Sequence, residues 1–142
     1  AELGRLPGTS LYRNVQRFAE AERIPGVEII RFDVSLSYLN VEFLKRRVHR
    51  LVDEAEGIHT VILDATGVND IDTSAAETLS ELIEELDEKH CTVRLATVKG
   101  PVRDVLMRAG LYQALGDRVH NEVNDAVLAV TAAQGADPAD AC

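Results

Sequence analysis

Residues 64–77 read DATGVNDIDTSAAE, and this stretch gathers the side chains best suited to chemistry. Three carboxylates, Asp64, Asp70 and Asp72, lead into two hydroxyls, Thr73 and Ser74. An aspartate ahead of a helical pattern serves as an N-cap, its oxygen accepting from backbone N–H groups of the first turn. Asp72 in that role makes Thr73 the first helical residue and Ser74 the second, beside unpaired N–H groups and the positive end of the helix dipole. A phosphate added to either hydroxyl would find donors there and meet repulsion from Asp70 and Asp72. Two plainer alternatives compete. The three residues can simply start a helix, or the carboxylates can hold Mg²⁺ for phosphoryl transfer. The second is disfavoured because loop carboxylates at a helix start more often act as caps and solubilising groups. No His or Cys stands nearby as base or nucleophile, and no P-loop, GxSxG or dinucleotide glycine pattern occurs. The chain therefore reads as a switchable docking module and not as an enzyme.

Two basic clusters stand apart from that stretch. Lys45-Arg46-Arg47-Val48-His49-Arg50 falls on the expected exposed face of a helix. It reads as a solvated face, with phosphate groups of a lipid surface or an acidic partner as the functional alternative. Lys99, Gly100, Arg103 and Arg108 surround a glycine-led turn and a helix start, which can accept an anion or merely begin a helix.

The whole chain of 142 residues carries a net charge of −9, which argues against nucleic acid, since phosphate-backbone binding needs a dominant basic surface. With 46% hydrophobic residues, 4% aromatic ones and no Trp, one core built from Val, Leu, Ile and Ala is expected. Two cysteines and four scattered histidines suggest neither a disulfide framework nor a zinc site, so a reducing compartment is the simplest reading. No run approaches the roughly 18–20 apolar residues that span a bilayer, and the N-terminal residues lack a signal-peptide pattern.

Hydrophobic periodicity supplies the elements that must position these groups. Residues 1–10 read as a linker and 11–17 as a short strand. Strands are expected over 27–34, with 36–39 as an extension, over 58–65 and over 92–98, and weakly over 119–123. Asn40 is placed to cap a helix carrying Val41, Leu44, Val48, Leu51, Val52 and Ala55 on one buried stripe, which Gly57 ends. A helix from Thr73 buries Leu79, Leu82, Ile83 and Leu86. Another with Pro101 in its first turn buries Val102, Val105, Leu106 and Ala109. Asn124 caps a last helix over 125–131, and residues 132–142 read as a disordered tail. Alternating strands and helices predict an α/β fold, a mostly parallel sheet of four or five strands with flanking helices.

The order strand, D-x-x-x-x-x-D-x-D-T-S helix, strand, then VKGPVRDVL-x-x-AGL resembles a STAS domain, the module of sulfate transporters and anti-sigma-factor antagonists. The Gly4-Arg5-Leu6-Pro7-Gly8-Thr9 lead-in, Tyr12-Arg13 and Ile24-Pro25-Gly26 resemble the segment following the last membrane helix of SulP anion transporters. On that resemblance residues 11–131 form the STAS domain, on the cytoplasmic face of the cell membrane, and residues 1–10 link it to a membrane domain. The implied function is regulation of a SulP-family sulfate or anion transporter. The partners implied are that transporter's own membrane domain, a regulatory protein and, in the full-length protein, a second copy. The alternative is a free-standing antagonist switched by phosphorylation. In antagonists the motif is D-S-[ST]-G with the hydroxyl after Asp as acceptor. Here the run is Asp72-Thr73-Ser74-Ala75, so Thr73 takes the acceptor position, although Thr replaces Ser and Ala75 replaces Gly. Asp64, Asn69, Asp70, Asp72, Lys99, Gly100 and Arg103 are the expected interaction surface. No cofactor is required, and GTP or ATP is the nucleotide such a surface would take.

Overall fold

The computed structural model describes residues 2–7, 9 and 11–135. Four parallel strands, β3 (Val27–Arg31), β4 (Thr60–Asp64), β5 (Thr92–Ala96) and β6 (Val119–His120), lie side by side in that order. Ahead of them, β1 (Leu3–Arg5) and β2 (Tyr12–Asn14) form a small antiparallel sheet. Helices α1 (Val41–Glu54), α2 (Thr73–Glu88), α3 (Gly100–Arg108), α4 (Leu111–Leu115) and α5 (Val123–Gly135) complete the fold. The α/β class and the parallel four-stranded sheet are as expected.

The pleat divides the core in two. Val61 and Leu63 of β4, with Val93 and Leu95 of β5, point to the face covered by α1–α4. Ile62 and Ala96 point to the opposite face, under Val123, Ala126 and Val127 of α5 and Leu3 and Tyr12 of the small sheet. Both neighbours of a β4 side chain are therefore apolar, which is why 61–63 read as an unbroken apolar run. On α2 the buried residues Ala75, Ala76, Leu79, Leu82, Ile83 and Leu86 recur at three- and four-residue intervals, so one stripe anchors the helix.

Several expectations need correction. Residues 3–5 are a strand and not a linker, because Leu3 is buried under the sheet and Gly4 lets β1 approach Glu22. The last helix begins at Val123 and runs to Gly135, so 132–135 belong to it. Asn124 lies inside that helix, its Oδ1 accepting from the Tyr12 hydroxyl at 3.0 Å. The rest of the expected tail, 136–142, lies outside the described residues. Residues 36–39 do not extend β3; Leu36 makes a single parallel bridge to Ile71. Asn40 precedes α1 without capping it, since its side chain accepts from the Ser37 N–H and donates to the Ser35 carbonyl. Ala109 is exposed, and the short helix α4 was not anticipated. Gly110, at φ 77°, makes the turn that separates α3 from α4, a conformation glycine adopts without Cβ strain.

Cys91 and Glu28 are buried titratable groups that belong to the fold. Burial pushes the Cys91 thiol up to about 11, so it stays protonated at neutral pH and makes a poor nucleophile. Burial and the neighbouring Glu2 carboxylate raise the Glu28 pKa, opposed by Arg23, whose Nη1 lies 3.8 Å away. A carboxyl held above its ordinary value in the folded chain favours folding in acid. That contribution is lost as pH rises from the ordinary carboxylate range through the folded value. Glu28→Gln is expected to raise the melting temperature at neutral pH and to leave it nearly unchanged in acid, which thermal unfolding across the acid-to-neutral range checks.

Candidate functional site

The carboxyl end of β4 and the start of α2 are joined by residues 65–72. The strand ends at Asp64, whose side chain turns inward. It is 4% exposed, and its Oδ1 accepts from the Thr66 N–H at 3.0 Å and from the Thr66 hydroxyl. Asp64 therefore shapes the turn and leaves the expected surface. Gly67 then passes hard against the loop after β3: a Cβ there would sit 2.6 Å from the Asp33 Cα. Val68 and Ile71 are buried, so the loop is pinned from below while Asn69 and Asp70 stay exposed.

Asp72 caps α2 as expected and does a second task. Its Oδ1 accepts from the Ala75 N–H at 2.7 Å, and its Oδ2 accepts from the Tyr38 N–H at 3.1 Å. The Asp72 N–H donates to the Leu36 carbonyl, and the Leu36 N–H to the Asp70 carbonyl, each at 3.0 Å. One carboxylate thus clips the β3–α1 loop to the helix start. Tyr38 and Leu36 were missed because nothing in a linear sequence announces a partner more than thirty residues away. Asp72→Ala is expected to cost about 1–2 kcal/mol, the upper part of the range for a lost N-cap. Urea unfolding measures it, and amide shifts at Tyr38 should move with those at Ala75.

Thr73 and Ser74 are both exposed at the first two positions of α2. The Asp70 Oδ1 accepts from the Ile71 N–H at 2.9 Å. Asp64, Asp70 and Asp72 are each occupied with neighbouring N–H groups. Among the described residues no group of three or more His, Cys, Asp or Glu side chains is arranged to hold a metal.

The third expected component comes from β5 and α3. Lys99 precedes α3, and its Nζ donates to the Asn69 Oδ1 at 2.6 Å, tying this turn to the β4–α2 loop. Arg103 reaches back toward the Val98 carbonyl at 3.5 Å. Gly100 opens the helix with open space around its Cα, so no close contact demands glycine there. Thr97 has a φ of 60°, a left-handed conformation costly for a β-branched residue, and its N–H donates to the His120 carbonyl. Thr97, Lys99, Arg103, Tyr112 and His120 line a polar depression of about 270 Å³. The structure thus joins Asn69 to Lys99 and Asp72 to Tyr38, and sets Thr73 and Ser74 at the surface.

The basic run of α1 is divided. Lys45 and His49 turn toward α2, where the Lys45 Nζ lies 3.0 Å from Glu85 and the His49 Nε2 lies 2.7 Å from it. Those partners hold the Glu85 carboxyl below its ordinary value, the His49 bond first and the Lys45 bond second. Arg46, Arg47 and Arg50 remain exposed.

The family model described as "STAS domain" matches residues 18–126. The chain belongs to the STAS domain family. High affinity sulfate transporter 2 of Stylosanthes hamata is 36% identical over 137 residues, covering 89% of this chain and 21% of the transporter. This STAS domain therefore spans about a fifth of the length of the curated relatives it matches. Among solved structures, the murine solute carrier 26 family member A9 anion transporter in its inward-facing state superposes with a TM-score of 0.85. The identity there is 24%, over 93% of this chain and 22% of that one. A putative anti-sigma factor antagonist from Thermotoga maritima superposes with a TM-score of 0.65 at 18% identity, covering 78% of this chain and 92% of that one. Likeness at these identities shows the shared fold.

Proposed function

We propose that this STAS domain regulates a SulP-type sulfate or anion transporter by docking. The surface would be the one where the β4–α2 loop, the β3–α1 loop and the start of α3 meet. The observation that carries the reading is the exposed Thr73-Ser74 pair, set at a capped helix start that is clipped to a second loop through Asp72. A phosphate or a bound partner at that end meets the backbone N–H groups of the first turn and competes with Asp72 for them. The disturbance passes to Tyr38 through the shared carboxylate. The curated relatives that are sulfate transporters support placing the domain beside a membrane domain, at the cytoplasmic face of the cell membrane. A regulatory protein and a second copy of the full-length chain are the further partners on this reading.

Anion uptake by the full-length parent, compared with its Thr73→Ala, Ser74→Ala and Thr73→Glu variants, tests the reading. Altered uptake at unchanged surface abundance supports it, and equal uptake in all three variants overturns it. Nucleotide binding is a separable part of the proposal, because Lys99 and Arg103 line a polar depression that borders the same loop. Titration with GTP or ATP should shift amides of residues 66–76 and 99–104; unmoved amides there would remove the idea.

The second reading, a free-standing antagonist released by phosphorylation, is favoured by the Asp72-Thr73-Ser74 helix start. Against it stands Ala75, fully buried where antagonists carry Gly. Membrane helices encoded upstream of Ala1 would decide for the transporter, and a start codon there for the antagonist.

A further inference from the structure

Bordering the docking surface and sharing the β3–α1 loop with it, the outer side of α1 carries an unexpected pairing of arginines with exposed apolar side chains. Leu39, Phe43, Arg46, Arg47 and Arg50 are spaced four, three, one and three residues apart. That spacing puts them on the outer side of α1 and the turn leading into it. Leu39 is 78% exposed, Phe43 65%, and Val34 on the preceding loop 56%. Phe43 falls outside the buried stripe of Val41, Leu44 and Val48, so no core position explains it. Two depressions run along this side and share Arg31 and Asp33. One, of about 240 Å³, is walled by Phe32, Val34, Phe43 and Arg47. The other, of about 330 Å³, is walled by Arg13, Arg17 and Phe18. The two adjoin at Arg31 and Asp33.

Its charge runs against that of the chain, which carries −9. Among the described residues Arg17, Arg46, Arg47 and Arg50 have no carboxylate within ion-pair distance, while Arg31 pairs with Asp33 at 2.8 Å. Of the carboxylates on α1, Asp53 is held by Lys89, while Glu42, four residues before Arg46, and Glu54, four residues after Arg50, are exposed, so Arg46, Arg47 and Arg50 outnumber the two carboxylates beside them.

We infer that this face lies against an anionic lipid surface, its arginines on headgroup phosphates and Leu39, Phe43 and Val34 in the acyl boundary. Separately exposed apolar side chains interleaved with guanidinium groups are what an interfacial helix presents to a bilayer. A guanidinium fork matches phosphate oxygens bidentately, and an anionic leaflet draws basic residues that lie within a Debye length. The inference rests on the reading that the domain is carried by a membrane transporter, which would hold it near such a surface.

Sedimentation of the 142-residue chain, whose sheet is covered on both faces, with vesicles of equal parts phosphatidylcholine and phosphatidylglycerol tests this. The chain is expected to sediment with these vesicles, not with phosphatidylcholine alone, and to be released by salt. Each of Arg46→Gln, Arg47→Gln and Arg50→Gln should weaken binding about fivefold. Leu39→Ser with Phe43→Ser should abolish it, with far-ultraviolet circular dichroism confirming that the fold is kept. Failure to sediment with anionic vesicles overturns the inference, as does binding indifferent to the arginines. Capture of a polyglutamate peptide without vesicle binding would assign the face to an acidic protein, and a dimer lost in Leu39→Ser would assign it to a second copy. Either result overturns lipid contact and leaves the docking reading standing, because that reading is judged by uptake in the Thr73 and Ser74 variants.

Discussion

Leu82→Ala is expected to lower the unfolding free energy by about 2–5 kcal/mol, the range for emptying a well-packed leucine site. Leu82 is 1% exposed on α2 and belongs to the larger core cluster, between the sheet and its helical cover. Its neighbours Leu79, Ile83 and Leu86 are also buried, so the hole opens inside a packed stripe that has little room to collapse. The functional consequence follows from where α2 begins. That helix carries Asp72, Thr73 and Ser74 at its start, and loosening its apolar stripe loosens the clip to Tyr38. Urea unfolding should show an earlier midpoint at an unchanged slope. Hydrogen exchange at the first turn of α2 should quicken together with exchange along the helix. A loss below about 1 kcal/mol would mean that the stripe repacks.

Gly67→Ala should cost about 1–3 kcal/mol, the usual penalty for forcing extra volume into a close contact. The reason is not conformational freedom but approach. A Cβ on Gly67 would lie 2.6 Å from the Asp33 Cα and 2.3 Å from its Oδ1. The side-chain oxygen can move aside; the backbone atom cannot without shifting the whole β3–α1 loop. Asp33 also holds Arg31, so the ion pair at 2.8 Å should be disturbed as well. Amide shifts are expected across residues 31–38 as well as around the mutation, a spread that a purely local turn effect would not give. Shifts confined to residues 66–68 would show that the two loops are not in contact.

The start of α2 was legible because its signals are local. Asp72 stands three residues before the N–H it caps, and the apolar spacing behind it runs without a break to Leu86. β4 was legible because it is apolar on both sides, a pattern that only a covered parallel strand sustains. By contrast, β1 was missed because three residues with a glycine carry almost no periodic signal, and Leu3 becomes apolar core only where α5 and β3 meet it. In the sequence the basic run on α1 reads as one solvated face. Its phase on the helix turns Lys45 and His49 toward Glu85 and leaves Arg46, Arg47 and Arg50 outside.

The apolar run of β4, the apolar stripe of α2 and the capped hydroxyl pair rest on signals within a few residues of each other, so chain order alone specifies them; pairing the strands, as of Val27 with Thr60, already joins residues more than thirty apart. The inward turn of Asp64, the Asp72–Tyr38 clip, the Asn69–Lys99 tie and the Gly67–Asp33 approach all join residues, or set burials, that depend on how the strands stack. Those contacts span about thirty residues, and only burial of the shared core brings their ends together. Which candidate residues reach solvent, and which are spent holding loops, was therefore decided by packing.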